Sequence, residues 1–125
     1  MEIEKLKLGI VGPCASGKTT LKNGLRNYGF HVKHIVQEHS YVPDMWKRLS
    51  KPDILIYLDV SYELTQKRKT LNWSKHEYII QVKRLEHARN HADIYIQTDH
   101  ITENEVLQTV LTGLNSIIGD VIERK

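Results

Sequence analysis

Residues 6–28 leave the chain few folds to choose from. Leu6-Lys7-Leu8-Gly9-Ile10-Val11 is a short apolar run, and Gly12-Pro13-Cys14-Ala15-Ser16-Gly17-Lys18-Thr19 follows it without a break. Beyond that loop, Leu21 and Leu25 recur at helical spacing as far as Tyr28, and Gly29 supplies a C-terminal stop. A strand that runs through a glycine-rich turn straight into an amphipathic helix is the first half of a right-handed crossover. It requires a parallel strand beside it.

The rest of the chain supplies such neighbours. Residues 30–37 carry Val32, Ile35 and Val36, residues 53–60 contain Ile54-Leu55-Ile56-Tyr57-Leu58, and residues 93–98 contain Ile94-Tyr95-Ile96. Short, nearly continuous apolar runs are what strands covered on both faces look like. Helices are predicted over 19–28, around 44–49 and from 62 to about 69. Two more follow the capping boxes Ser74-Lys75-His76-Glu77 and Thr102-Glu103-Asn104-Glu105. The first repeats Tyr78, Val82, Leu85 and Ala88; the second carries Val106, Val110, Leu114 and Ile117 on one face. The expected fold class is therefore α/β, a three-layer sandwich whose small, mainly parallel sheet of four to five strands is covered by helices. With 125 residues there is room for one domain, 1–125. Ligands of such sheets bind beyond the carboxyl ends of the strands, where the glycine-rich loop, residues 38–41 and residues 59–62 all fall.

Composition narrows the partners. The net charge is +3, and Lys and Arg are dispersed apart from Lys67-Arg68-Lys69. No basic stripe with interleaved aromatics exists, so no nucleic acid is expected, whereas a polyanionic small molecule suits the charge. The single Cys14 excludes an internal disulfide and, on spacing, any cysteine-based zinc site; it reads as a small loop filler without a redox role. The first seven residues alternate charge and do not read as a signal peptide, and no apolar run approaches the ~20 residues of a membrane span. No membrane association is expected, and the default location is cytoplasmic.

The spacing G-x-x-x-x-G-K-T from Gly12 to Thr19 carries the most specific chemistry. Backbone N–H groups can converge on anionic oxygens only in a tight loop free of intruding side chains, which Gly12 and Gly17 permit. The helix that starts at the loop's end adds its unpaired N–H groups and its positive dipole end. Lys18 can reach the outer phosphates of a nucleoside triphosphate, and the Thr19 hydroxyl suits a Mg²⁺ bridging them.

With those residues the chain resembles the P-loop NTPases, and within them the small-molecule kinases related to adenylate and shikimate kinase. Three stretches carry the likeness: Leu8-Gly9-Ile10-Val11 with the loop through Thr20; Ile54-Leu55-Ile56-Tyr57-Leu58-Asp59-Val60-Ser61 with Arg68; and Ala92-Asp93-Ile94-Tyr95-Ile96-Gln97-Thr98-Asp99 with the capped helix at Glu105-Val106. The resemblance implies ATP and Mg²⁺ as ligands, a loop contact set of Gly12, Pro13, Cys14, Ala15, Ser16, Gly17, Lys18, Thr19 and Thr20, and a helical lid-like region at about 61–92. The chain is much shorter than those kinases where they insert an acceptor-binding segment, so the acceptor is not transferable.

Beyond the loop, a Mg²⁺-triphosphate site wants a second carboxylate. Glu38, ending His34-Ile35-Val36-Gln37, is the first choice, and Asp59 the rival for the metal alongside Thr19. Transition-state charge calls for a guanidinium, with Arg84 favoured as catalytic, Arg89 as a nucleotide contact, and Arg68 a further candidate. His39 beside Glu38 is a possible proton carrier. His31 and His34 lie on opposite faces of a strand, and His87 and His91, four apart on a helix, lack a third ligand. Trp46, in the stretch after Glu38, is read as an acceptor or adenine wall or as core; Trp73, after Leu71-Asn72, as a base platform or a hinge seal.

The leading function is transfer of the γ-phosphate of Mg-ATP to an unidentified small molecule, with Lys18→Ala expected to abolish binding or turnover while leaving the fold intact. The alternative is a nucleotide-binding or ATPase module acting through a partner or homodimer. A GTPase is disfavoured, because Ser50-Lys51-Pro52-Asp53 precedes a strand rather than following one and no D-x-x-G switch is present.

Overall fold

The structure, a computed structural model, describes residues 6–68 and 73–123. Strands β1 (Lys7–Val11), β2 (His31–His34), β3 (Ile54–Asp59) and β4 (Ile94–Gln97) form one sheet in the order β2-β1-β3-β4, with every pairing parallel. Helices α1 (Lys18–Asn27), α2 (Met45–Ser50), α3 (Tyr62–Arg68), α4 (Lys75–His91) and α5 (Glu103–Glu123) alternate with them.

The period of two along β3 explains why the sheet is covered on both sides. Ile54, Ile56 and Leu58 join a core with Leu21 and Leu25 of α1 and Val106, Val110 and Leu114 of α5. Leu55 and Tyr57 turn to the opposite face and pack with Trp46 of α2 and Leu85 and Ala88 of α4. Each fully buried Leu or Ile contributes about 1.5–3 kcal/mol. An all-parallel sheet needs both layers.

α4 therefore belongs to the core: Leu85 and Ala88 are fully buried. Within the region 61–92 expected to be lid-like, that half packs against the sheet. Lys69, Leu71 and Asn72 lie outside the described residues. Of the two capping boxes, that of α5 is complete, with Thr102 Oγ1 accepting from Glu105 N and Glu105 Oε1 accepting from Thr102 N. At α4 the Ser74 hydroxyl accepts from Glu77 N.

The second strand is shorter than its apolar run. It ends at His34, and residues Gln37–His39 form a 3-10 turn. Gln37, 1% exposed, causes the departure. Its Nε2 donates to the carbonyls of Val42 and Arg84 at 2.9 and 3.2 Å, and its Oε1 accepts from Trp46 N at 2.8 Å. Three bonds from one buried amide draw the chain off the sheet edge and tie it to α2 and α4.

The order β2-β1-β3-β4 puts the switch in connection direction at β1: the chain leaves β1 for one side and later returns on the other. The crevice beyond its carboxyl end is where such sheets hold ligands. No helix among the described residues is long and apolar enough to cross a membrane.

Candidate functional site

The glycine-rich loop leaves β1 at that crevice. At Gly12 a Cβ would strike the carbonyl oxygen of Leu58 and approach Ser16 Oγ to 2.8 Å, so only glycine lets the chain turn here beside β3. Ser16 N closes the turn on Pro13 O at 3.2 Å. Ala15 and Gly17 are both left-handed, at φ 66° and 97°. For alanine that conformation costs roughly 1–2 kcal/mol, held here by the surrounding turn. Left-handed residues interleaved with ordinary ones point successive N–H groups inward as an anion nest. Gly17 then caps α1 without a side-chain hydrogen bond, and the first turn holds no acidic residue. The free N–H groups and positive dipole end of α1 thus face the cleft unneutralised.

Lys18 lies under this loop, 6% exposed. Its Nζ donates to the carbonyls of Gly12 and Pro13 and, at 2.9 Å, to Glu38 Oε2. Glu38 is 2% exposed and sits on the 3-10 turn just beyond β2. β2 pairs with β1 in register from Lys7↔His31 to Ile10↔His34, and this brings a carboxylate twenty residues along the chain onto the lysine. A buried ion pair with one charged partner removed is costly by about 3–5 kcal/mol. The two residues are a unit.

The loop borders a cleft of about 630 Å³ lined by residues 14–21, the turn at Glu38 and His39, Arg68, and the start of α5. Among the described residues, three buried polar atoms lack a hydrogen-bond partner: Ser16 Oγ, His34 Nε2 and Glu38 Oε1. All three belong to side chains lining this cleft. The pKa of His34 is pushed below its usual range by burial first and then by the Lys18 charge.

Of the arginines, Arg68 lines the cleft. It donates to Ala15 O at 3.2 Å and to Thr98 O at 2.7 Å, bridging the loop and the end of β4. Arg84 instead donates to Glu38 O at 3.4 Å and lies over the ring of Tyr41, while Arg89 lies over Tyr95. Neither of these two, expected as catalytic and nucleotide contacts, lines the cleft. Five residues apart on α4, they diverge to opposite flanks.

Asp59 is likewise directed elsewhere. Its carboxylate accepts from Val60 N and the Tyr95 hydroxyl, leaving Thr19 without it. The metal pairing of Asp59 with Thr19 is not formed, whereas Glu38 and Thr19 line the same cleft. Trp46 is core, its Nε1 donating to His87 Nδ1 at 3.1 Å. His91 stacks on His87 and turns its Nδ1 to the His87 carbonyl at 2.8 Å, so these two rings do not converge on a common point. Trp73 donates to Thr65 Oγ1 and meets Tyr78 edge-on, a seal between α3 and α4. Asp53 sits at the opposite end of the sheet, accepting from Lys7 N, far from any phosphate loop role.

Two glutamines escaped sequence reading. Gln37 is the clamp described above, and Gln81 ties α4 to the loop: its Oε1 accepts from Cys14 N at 3.0 Å and its Nε2 donates to Cys14 Sγ at 3.1 Å. Glutamine on a helix is ordinarily a solvated residue, so nothing local marked either. No protein-family model matches the chain, and a search of curated proteins finds no match.

Proposed function

We propose that this chain has the P-loop NTPase fold and binds ATP in the cleft at Gly12–Thr20, transferring the γ-phosphoryl group to a small-molecule acceptor. The observation that carries the reading is the buried Lys18 ammonium held between loop carbonyls and Glu38, beneath an uncapped helix N-terminus. A fixed cation, a nest of N–H groups and a dipole end converging at one point favour a chain of phosphates over any neutral ligand.

In this reading the loop amides and Lys18 hold the β- and γ-phosphates. Thr19 and Glu38 offer hard oxygen donors in the same cleft, and Glu38 Oε1 has no other partner, so the residues fit Mg²⁺. Bound there, Mg²⁺ would supply charge neutralisation on the phosphate oxygens. Arg68, rather than Arg84, is the guanidinium placed to neutralise phosphoryl oxygens. The acceptor oxygen forms the new bond to phosphorus as the bond to the β,γ-bridging oxygen breaks; ADP leaves, and the acceptor's proton passes to His39, which lines the same cleft beside Glu38.

The second reading, an ATPase or nucleotide-binding module working through a partner or a homodimer, draws on the short connection from β2 to β3. That segment holds only the 3-10 turn and six-residue α2, and its large aromatic Trp46 is spent on the core. Calorimetry with ATP, GTP and ADP in the presence of Mg²⁺ tests binding. Incubation with ATP and a metabolite library then separates the readings: a phosphorylated product supports transfer, and tight binding without turnover supports the module. Absence of heat for all three nucleotides overturns both.

A further inference from the structure

We propose that Cys14, Glu38 and His39 form a binding site for a borderline-soft divalent cation, Zn²⁺ being the natural occupant. One ligand atom from each residue lies within 4.8 Å of the other two. Three points so spaced lie no more than about 2.8 Å from a common centre, against Zn–S of about 2.3 Å and Zn–N or Zn–O of about 2.0–2.2 Å. Each donor closes the site by moving less than ~1 Å, well within side-chain freedom at a cleft mouth.

A second observation points to a cation independently of the cysteine. Glu38 is 2% exposed; its Oε2 is taken by Lys18, and its Oε1 is buried with no donor. A carboxylate oxygen in that position is costly until a positive group takes it. Cys14 is prepared from the other side. Gln81 is buried, donates to Sγ and accepts from the Cys14 N–H, fixing the side chain.

The donor set of sulfur, imidazole nitrogen and carboxylate oxygen selects Zn²⁺ over Mg²⁺, which prefers oxygen alone. Three protein ligands leave a fourth position for an exchangeable oxygen ligand. Glu38 and His39 are too distant in sequence from Cys14 for any spacing motif to show such a group; the sheet register brings them together. All three ligands belong to the chain, so the site needs no nucleotide; it shares Glu38 with the proposed Mg²⁺ position, and the two cations are alternative occupants.

Titration of the reduced, full-length protein with CoCl2 in the absence of nucleotide tests it. The expected result is a thiolate-to-Co²⁺ charge-transfer band in the near ultraviolet that saturates at one equivalent and is erased by Zn²⁺. Cys14→Ser is expected to abolish the band, and His39→Ala to weaken Co²⁺ binding at least tenfold, with both variants checked for an unchanged circular dichroism spectrum. A wild type without the band, as binding by surface histidines alone would give, overturns the site; so does a band whose midpoint His39→Ala leaves unmoved. ATP calorimetry with Mg²⁺, run separately, keeps failure of this site distinct from failure of the nucleotide reading.

Discussion

Replacing Lys18 removes more than the proposed phosphate contact. The ammonium is 6% exposed and is the partner of Glu38 Oε2 at 2.9 Å, while Glu38 Oε1 already lacks a donor. Lys18→Ala therefore leaves a buried carboxylate with no hydrogen-bond donor on either oxygen. Breaking one side of such a pair costs about 3–5 kcal/mol. For a chain of this size that corresponds to a fall in Tm of about 10–20 °C. Glu38→Gln is expected to cost less, about 1–2 kcal/mol, because its amide oxygen still accepts from Lys18 and the ammonium keeps the Gly12 and Pro13 carbonyls. The double variant Lys18→Ala/Glu38→Gln is expected to be more stable than Lys18→Ala, with a coupling of about 2 kcal/mol in the cycle. Urea unfolding followed by circular dichroism measures all four proteins. If Lys18→Ala melts within a degree of the wild type, the buried pair is not the unit described. The substitution is thus expected to lower stability as well as nucleotide binding, and binding is measured at a temperature well below the variant's Tm.

Three further outcomes are expected. Gly12→Ala, whose methyl meets the Leu58 carbonyl and Ser16 Oγ, is expected to lose about 1–3 kcal/mol in denaturant unfolding and to weaken ATP in calorimetry. Arg68→Ala is expected to reduce ATP affinity at least ~10-fold, while Arg89→Ala stays within a factor of ~2; a larger effect at Arg89 would refute the assignment. His34, facing Lys18 and Lys22 of α1 and Glu38 and His39 of the turn, has a folded pKa below its ordinary 6.5. Above that pH both states are neutral; as pH falls through it the unfolded chain takes the proton first, so stability drops on the acid side. Unfolding at pH 7.5 and 5.5 should show His34→Asn losing less stability on acidification than the wild type.

The sequence by itself determined what is written over consecutive residues. The strand–loop–helix at 6–28, the alternation of apolar runs with capped helices, and the parallel sheet all follow from periodicity and turn chemistry that a short stretch carries alone. Glu38 stood out because it follows the apolar pair Ile35-Val36, although the strand itself ends at His34 and Glu38 lies on the 3-10 turn. Which side chains meet across the cleft was decided by tertiary structure. Strand order places β2 beside β1 and so sets Glu38 on Lys18 and His39 near Cys14. The path of α3 gives the cleft Arg68 instead of Arg84 or Arg89, and the register of β3 with β4 hands Asp59 to Tyr95. Local patterns encode which face of an element is apolar. The partner across that face depends on register and on the angle at which helices cross the sheet, and these are set by how the whole core closes.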